Sequence, residues 1–199
     1  IIQPDDWHVH LRENKILTAV VKYTASKFGK CIAMPNLESP ITSWQMAEKY
    51  KKEIINSSGL SNFKPFIPCY LIDELDLDDF TTGIKNNYFI GAKLYPYEAT
   101  TNSSKGVTNI ENIYPALEIL EKHNSPLLIH GEKVSPDISI FDREKFFIDD
   151  ELKKIIDRFS SLKIVLEHVS SSYGADFVAE SSDNIAATIT VHHLSLTKK

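Results

Sequence analysis

The sequence predicts an α/β fold built on a parallel sheet, and two observations carry that prediction. Short apolar runs of strand character alternate with amphipathic helical stretches almost from end to end. This βαβα order makes the helices crossovers between parallel strands. The phosphate-binding signatures of open doubly wound sheets, G-x-G-x-x-G and G-x-x-x-x-G-K-[ST], do not occur, and with only 7 glycines there is little material for such a loop. Alternation alone leaves an open sheet and a closed barrel both standing.

Seven strands are predicted, at residues 6–11, 30–34, 64–70, 89–94, 126–131, 163–168 and 185–190. Asn14 is placed to cap the first helix, where Leu17, Val20, Val21, Thr24 and Phe28 recur at helical spacing and Gly29 follows the end. Thr42 and Gln45 have the spacing of a capping box for a second helix that runs to Ser58 and Gly59. A third is expected over 77–86. In the fourth, Ile113, Leu117 and Leu120 share a face, and Pro115 is tolerated if the helix starts near Asn112. Two more are expected at 150–159 and 173–181. The longest polar loop, 97–108, directly follows a strand end.

A length of 199 residues suits one domain, taken as 1–199. Lys and Arg total 22 against 27 Asp and Glu, a net charge of -5 with no basic concentration. That balance disfavours nucleic acid or an anionic membrane surface as partner. No apolar run approaches the ~20 residues of a membrane-spanning helix. The start has no initiator Met, basic leader or signal segment, so the chain reads as trimmed at its front. Cys31 and Cys69 sit in apolar segments and read as small buried hydrophobes of a reducing compartment.

The first strand carries the most chemistry. Side chains alternate faces along it, so His8, His10 and Arg12 point one way and Trp7, Val9 and Leu11 the other. Two imidazoles on one face can grip a metal ion, although a polar edge strand with incidental histidines is an equal alternative for H-x-H alone. His130 and His168 each close a strand, and Lys93 lies within an apolar one. Singly, such residues are more often structural or snorkelling. As a set they fall at corresponding ends of parallel strands, where a β/α-barrel gathers its site. His123 at a helix C-terminus has an ordinary dipole-favoured place. His192 and His193 follow the last strand, and one of them could be structural. No G-x-S-x-G occurs, and neither cysteine has a local activator.

The segments His8–Arg12, Met34–Leu37, Ala92–Pro96, Ala99–Ser104, Leu128–Glu132, Ile140–Glu144, Glu167–His168 and Ala186–Thr190 keep their order along the chain. In that order they resemble the bacterial-type, monofunctional dihydroorotases of the amidohydrolase superfamily. The resemblance implies a TIM-type (β/α)8 barrel with two zinc ions. It assigns His8 and His10 to one ion, His130 and His168 to the other, and Lys93 to both as its N-carboxylate. It also implies that Arg12 and Asn36 hold the substrate carboxylate and that Thr100 and Thr101 lie on a loop closing over substrate. Those threonines taken alone read as a polar turn.

The implied reaction is reversible hydrolysis of the cyclic amide of dihydroorotate to N-carbamoyl-aspartate in pyrimidine biosynthesis, by a cytoplasmic homodimer. One departure stands out. The family's general-base aspartate, within an Asp-Ser-Ala-Pro-His type segment, has no counterpart here. A whole barrel takes ~250 residues, so the sequence reads as a barrel missing its last strand, with no catalytic carboxylate of its own. Alternatives are a hydantoinase- or allantoinase-like hydrolase, or a non-catalytic barrel scaffold. The 199 residues expressed alone are expected to fold poorly and turn over little; near-enzyme rates from the purified polypeptide would contradict this.

Overall fold

The computed structural model describes residues 2–196. Three parallel strands, β1 (Asp6–Val9), β2 (Lys30–Ala33) and β3 (Lys64–Phe66), form one sheet in that order. Five more, β4 (Cys69–Tyr70), β5 (Ala92–Leu94), β6 (Leu127–Ile129), β7 (Ile164–Leu166) and β8 (Ile185–Ala187), form a second, also parallel and in sequence order. The α/β class with parallel sheets is therefore as the alternation predicts. The expected continuous strand at 64–70 is divided. Pro68 has no N–H to offer a ladder, and on either side of it β3 pairs with β2 while β4 pairs with β5.

The helices are α1 (Asn14–Lys27), α2 (Trp44–Ser58), α3 (Leu77–Lys85), α4 (Tyr114–Lys122), α5 (Arg143–Phe147), α6 (Lys153–Arg158), α7 (Ser172–Glu180) and α8 (Val191–Ser195). Two expected caps move by one residue. Glu13 occupies the cap of α1 without a side-chain bond, and Asn14 is the first helical residue. Ser43, not Thr42, caps α2 by accepting from the Met46 N–H. The left-handed Gly59 (φ 69°) ends α2 as expected. Asp76 caps α3 by accepting from the N–H groups of Asp78 and Asp79.

A 3₁₀ turn, Ile110–Ile113, leads into α4 and puts Pro115 in its first turn. The helix expected at 150–159 begins earlier, as α5, and reaches α6 through a π turn, Ile148–Leu152. The wider turn suits the spacing of Phe147, Ile148 and Leu152, which are all buried. The strand expected at 185–190 ends at Ala187, and residues 191–195 turn into α8 instead.

Strand alternation divides the core. Leu127, Ile129, Ile164 and Leu166 face the helices in the large cluster, whereas Leu128 packs with Ile32 and Met34 on the inner face, against Phe66, Ile90 and Val165. Lys93 is level with Leu128, and Leu128 with Val165, so Lys93 belongs to that inner face. Val9 and Leu11 join the outer core as expected. Trp7 does not: β1 is a sheet edge and leaves it 46% exposed.

Gly91 allows β5 to approach β6. A Cβ there would collide with the Pro126 carbonyl oxygen, which already accepts the Ala92 N–H at 3.0 Å. Gly91→Ala is expected to destabilise the protein by about 1–3 kcal/mol through forced displacement of backbone. Gly59→Ala, with nothing within 4 Å, should lose only the roughly 1 kcal/mol of left-handed strain. Equal losses in denaturant titrations would contradict the close approach.

Candidate functional site

Lys93 is wholly buried on β5, and its ammonium pairs with Glu167, which follows β7 and is also buried. The other oxygen of Glu167 lies 2.9 Å from Nδ1 of His8 on β1. His8 in turn sets its Nε2 3.3 Å from Nε2 of His10. Opposite them, Nδ1 of His130 is 3.1 Å from Nε2 of His168, and the rings of His8 and His168 are centred 5.2 Å apart. Contact between β1 and the end of β7 shows that the strands curl round until the first meets the seventh. The five residues singled out as a metal set by the sequence are thus brought together.

Glu167 was missed as a site residue, although it sits beside His168. Its signal was the alternation itself: Val165 faces inward, so Glu167 must also. By the same rule His168 should face the helices. Its left-handed backbone (φ 44°) turns it back instead, so two consecutive side chains enter one site. Sequence periodicity carries no sign of that turn.

Burial dominates the electrostatics. It would raise the Glu167 carboxyl, but Lys93 and then His8 outweigh it and hold the acid down at about 2. Burial pushes the Lys93 ammonium below the usual lysine range, with Glu167 opposing. His10 falls to about 3 through burial first, then His8, Arg12 and Lys93. His168 falls to about 2 through burial, then Lys93, His130 and His8. Both imidazoles are neutral near pH 7 and present lone pairs. Tyr95 stacks on Tyr70 at 5.1 Å and carries Lys93 Nζ 4.9 Å from its ring centre, yet its buried hydroxyl has no partner.

Four imidazoles in two facing pairs are the donor chemistry of zinc and similar divalent ions. Among the described residues no three His, Cys, Asp or Glu side chains already form a metal-holding group. Each pair offers two nitrogens, and a further ligand between the pairs would have to come from the Lys93 position. The residues fit a two-ion centre on that condition.

A cavity of about 420 Å³ opens over the cluster, walled by His8, His10, Tyr95, His130 and His168, with Thr100 at its side and His192 and His193 also lining it. Arg12 and Thr101 do not line it; they line a separate cavity of about 520 Å³. Asn36, buried, ties these parts together. Its carbonyl accepts from Arg12 Nη1 at 3.2 Å and from Asn102 Nδ2 at 3.1 Å, and its Nδ2 donates to the Thr101 carbonyl at 2.9 Å. His123 caps α4, remote from this cluster.

No protein-family model matches the chain. The chain is 47% identical over 195 residues to a dihydroorotase of Salmonella paratyphi A, covering 98% of its own length and 56% of the relative's. Among solved structures, a dihydroorotase from Campylobacter jejuni superposes with a TM-score of 0.88 at 34% identity, covering 98% of this chain and 56% of that one. A Saccharomyces cerevisiae dihydroorotase in complex with 5-fluoroorotic acid gives 0.88 at 31%, covering 98% and 57%. An L-hydantoinase from Arthrobacter aurescens gives 0.72 at 13%, covering 98% and 48%, and shows a shared fold alone. The chain thus shares the α/β fold of these solved structures, and its similarity to dihydroorotases holds over nearly its whole length, while it spans little more than half the length of those relatives.

Removing one partner of a buried ion pair leaves the other uncompensated. Glu167→Ala is expected to cost about 3–5 kcal/mol in the metal-free protein, and Lys93→Met combined with Glu167→Leu should recover most of it. Urea denaturation of the three proteins checks this; a mild loss in the single variant would mean that Lys93 is not held by Glu167.

Proposed function

We propose that the protein containing this chain is a zinc-dependent dihydroorotase, reversibly hydrolysing dihydroorotate to N-carbamoyl-aspartate in pyrimidine biosynthesis. The observation that carries the reading is the convergence of His8, His10, Lys93, His130 and His168 within a sequence 47% identical to a dihydroorotase. His8 and His10 would hold one ion, His130 and His168 the second, and Lys93 would reach both as an N-carboxylate. Burial favours that modification. It lowers the lysine toward its neutral amine, the form whose nitrogen bonds to the carbon of CO₂ as a proton leaves. The change would remove the cation that now offsets Glu167, and bound divalent ions would supply the compensating charge. Glu167 keeps His8 as partner at 2.9 Å, so that imidazole stays oriented through Nδ1.

When bound, the metal pair supplies a Lewis acid and a water acidified toward neutral pH. The chain's own residues bind and orient the substrate. Arg12 can take a planar carboxylate with two parallel bonds, and Asn36 sets the 97–108 loop against it through Thr101. Thr100 and Thr101 would lie on a loop that closes over substrate; in support, Thr100 lines the cavity over the histidines and Thr101 the cavity beside Arg12. The carboxylate that returns a proton to the leaving nitrogen is assigned outside these residues.

The scaffold is proposed as a single TIM-type barrel domain, incomplete here. In support, the strands curl until β1 meets β7, and apolar Ile189, Val191, Leu194 and Leu196 stay exposed after β8. A cytoplasmic homodimer completes the proposal. No helix among the described residues is long and apolar enough to cross a membrane, and Cys31 and Cys69 are free and buried, as a reducing compartment permits.

Substrate profiling of the full-length protein tests the reading. Dihydroorotate should be preferred over hydantoin and allantoin, a chelator should abolish turnover, zinc should restore it, and Lys93→Ala should lose at least about 100-fold in kcat/KM. Preference for hydantoin or allantoin would overturn the substrate assignment. Absence of stoichiometric zinc would leave a non-catalytic scaffold.

A further inference from the structure

The chain after His168 is held from an unexpected direction. Glu144 on α5 is 7% exposed, and it turns both carboxylate oxygens onto the two residues that precede α7. One oxygen accepts from the Ser170 N–H at 2.9 Å and its hydroxyl at 3.3 Å. The other accepts from the Ser171 N–H at 3.1 Å and from the Ser171 hydroxyl. Ser171 then caps α7, its oxygen accepting the Gly174 N–H at 3.1 Å. Gly174 completes the seat, since a Cβ there would collide with the Glu144 carboxylate.

This clamp begins two residues after a strained histidine, His168. A left-handed backbone costs a non-glycine residue about 1–2 kcal/mol, and such a residue persists only where its surroundings over-determine it. On the strand side, Thr188 supplies the restraint: its hydroxyl accepts the His168 N–H at 2.9 Å and its carbonyl accepts the Val169 N–H at 2.9 Å. On the helix side, Glu144 supplies it. A carboxylate with four donors is a far stiffer anchor than an ordinary serine cap.

We infer that Glu144, seated against Gly174, is a positioning residue for His168: through Ser170 and Ser171 it holds the turn that aims His168 at His130. The inference rests on the proposed reading of the histidines as metal ligands, and it adds a residue that touches neither ion nor substrate. Glu144→Gln replaces two acceptor sites with N–H donors facing other donors. Gly174→Ala leaves Glu144 in place but drives its carboxylate off the clamp.

The test uses the full-length protein with ¹⁵N-labelled histidine, with and without zinc. In the metal-free protein, both variants should shift or broaden the His168 ring signals while those of His8 and His10 stay in place. In zinc titrations against a competing chelator, the affinity of one of two ions should fall about 10–100-fold in both variants. Unchanged His168 signals in both variants would overturn the inference, as would unchanged zinc affinity beside a lowered melting temperature. A wild-type protein that binds no zinc would instead sink the metal reading, and the metal-free ring signals would still decide the role of Glu144.

Discussion

The buried pair of Lys93 and Glu167 is the constraint on which the rest of the site depends. An ammonium with no exposure, on the inner face of a sheet, is tolerable only with an anion at contact. The anion has to come from another strand, so β5 and the end of β7 must be presented to each other at a fixed height. Glu167 then spends its second oxygen on His8, which draws β1 into the same place. An apolar pair of similar volume would fill the space at less electrostatic cost. What the charges add is a fixed meeting point for three strands, with Tyr95 and Tyr70 stacked beside it.

Much of this was legible in the sequence, for identifiable reasons. Parallel α/β architecture follows from alternation, because a crossover helix is the usual way to join neighbouring parallel strands. The shared face of His8 and His10 follows from the two-residue period, and Lys93 stood out because its neighbours are apolar. Caps were harder. Thr42, Ser43 and Gln45 offer overlapping cap chemistry, and the choice of Ser43 depends on where α2 meets α3: Asp79 of α3 accepts the Trp44 N–H at 2.9 Å. The division at Pro68 and the π turn after α5 also depend on neighbours distant in sequence. Glu167 escaped because a buried acid is recognised by its partner, and Lys93 lies 74 residues away.

Backbone conformation separates two kinds of residue. Asn87 and Asn124 take positive φ just past helix ends, where asparagine is an ordinary terminator. Arg12, Glu98 and His168 take it with neither glycine nor asparagine at the position, and a site role is proposed for Arg12 and His168. Each is restrained by bonds made elsewhere. The Arg12 carbonyl accepts the Tyr50 hydroxyl at 2.9 Å, and His168 is gripped through Thr188 and the serines that follow. Local strain at these positions is balanced by the packing of α2, α5 and α7, so helices on the outside of the sheets determine the aim of side chains within.

The break at Pro68 has a consequence for how binding and rigidity are linked. Backbone ladders join β1 to β3 and β4 to β8 but do not run between the two groups. His8 and His10 belong to the first group; Lys93, His130 and His168 belong to the second. Whatever bridges the histidine pairs therefore ties the two groups together, adding to backbone bonds such as that from the Tyr70 N–H to the Ile41 carbonyl at 2.7 Å. A ligand that binds only this arrangement stabilises it by mass action.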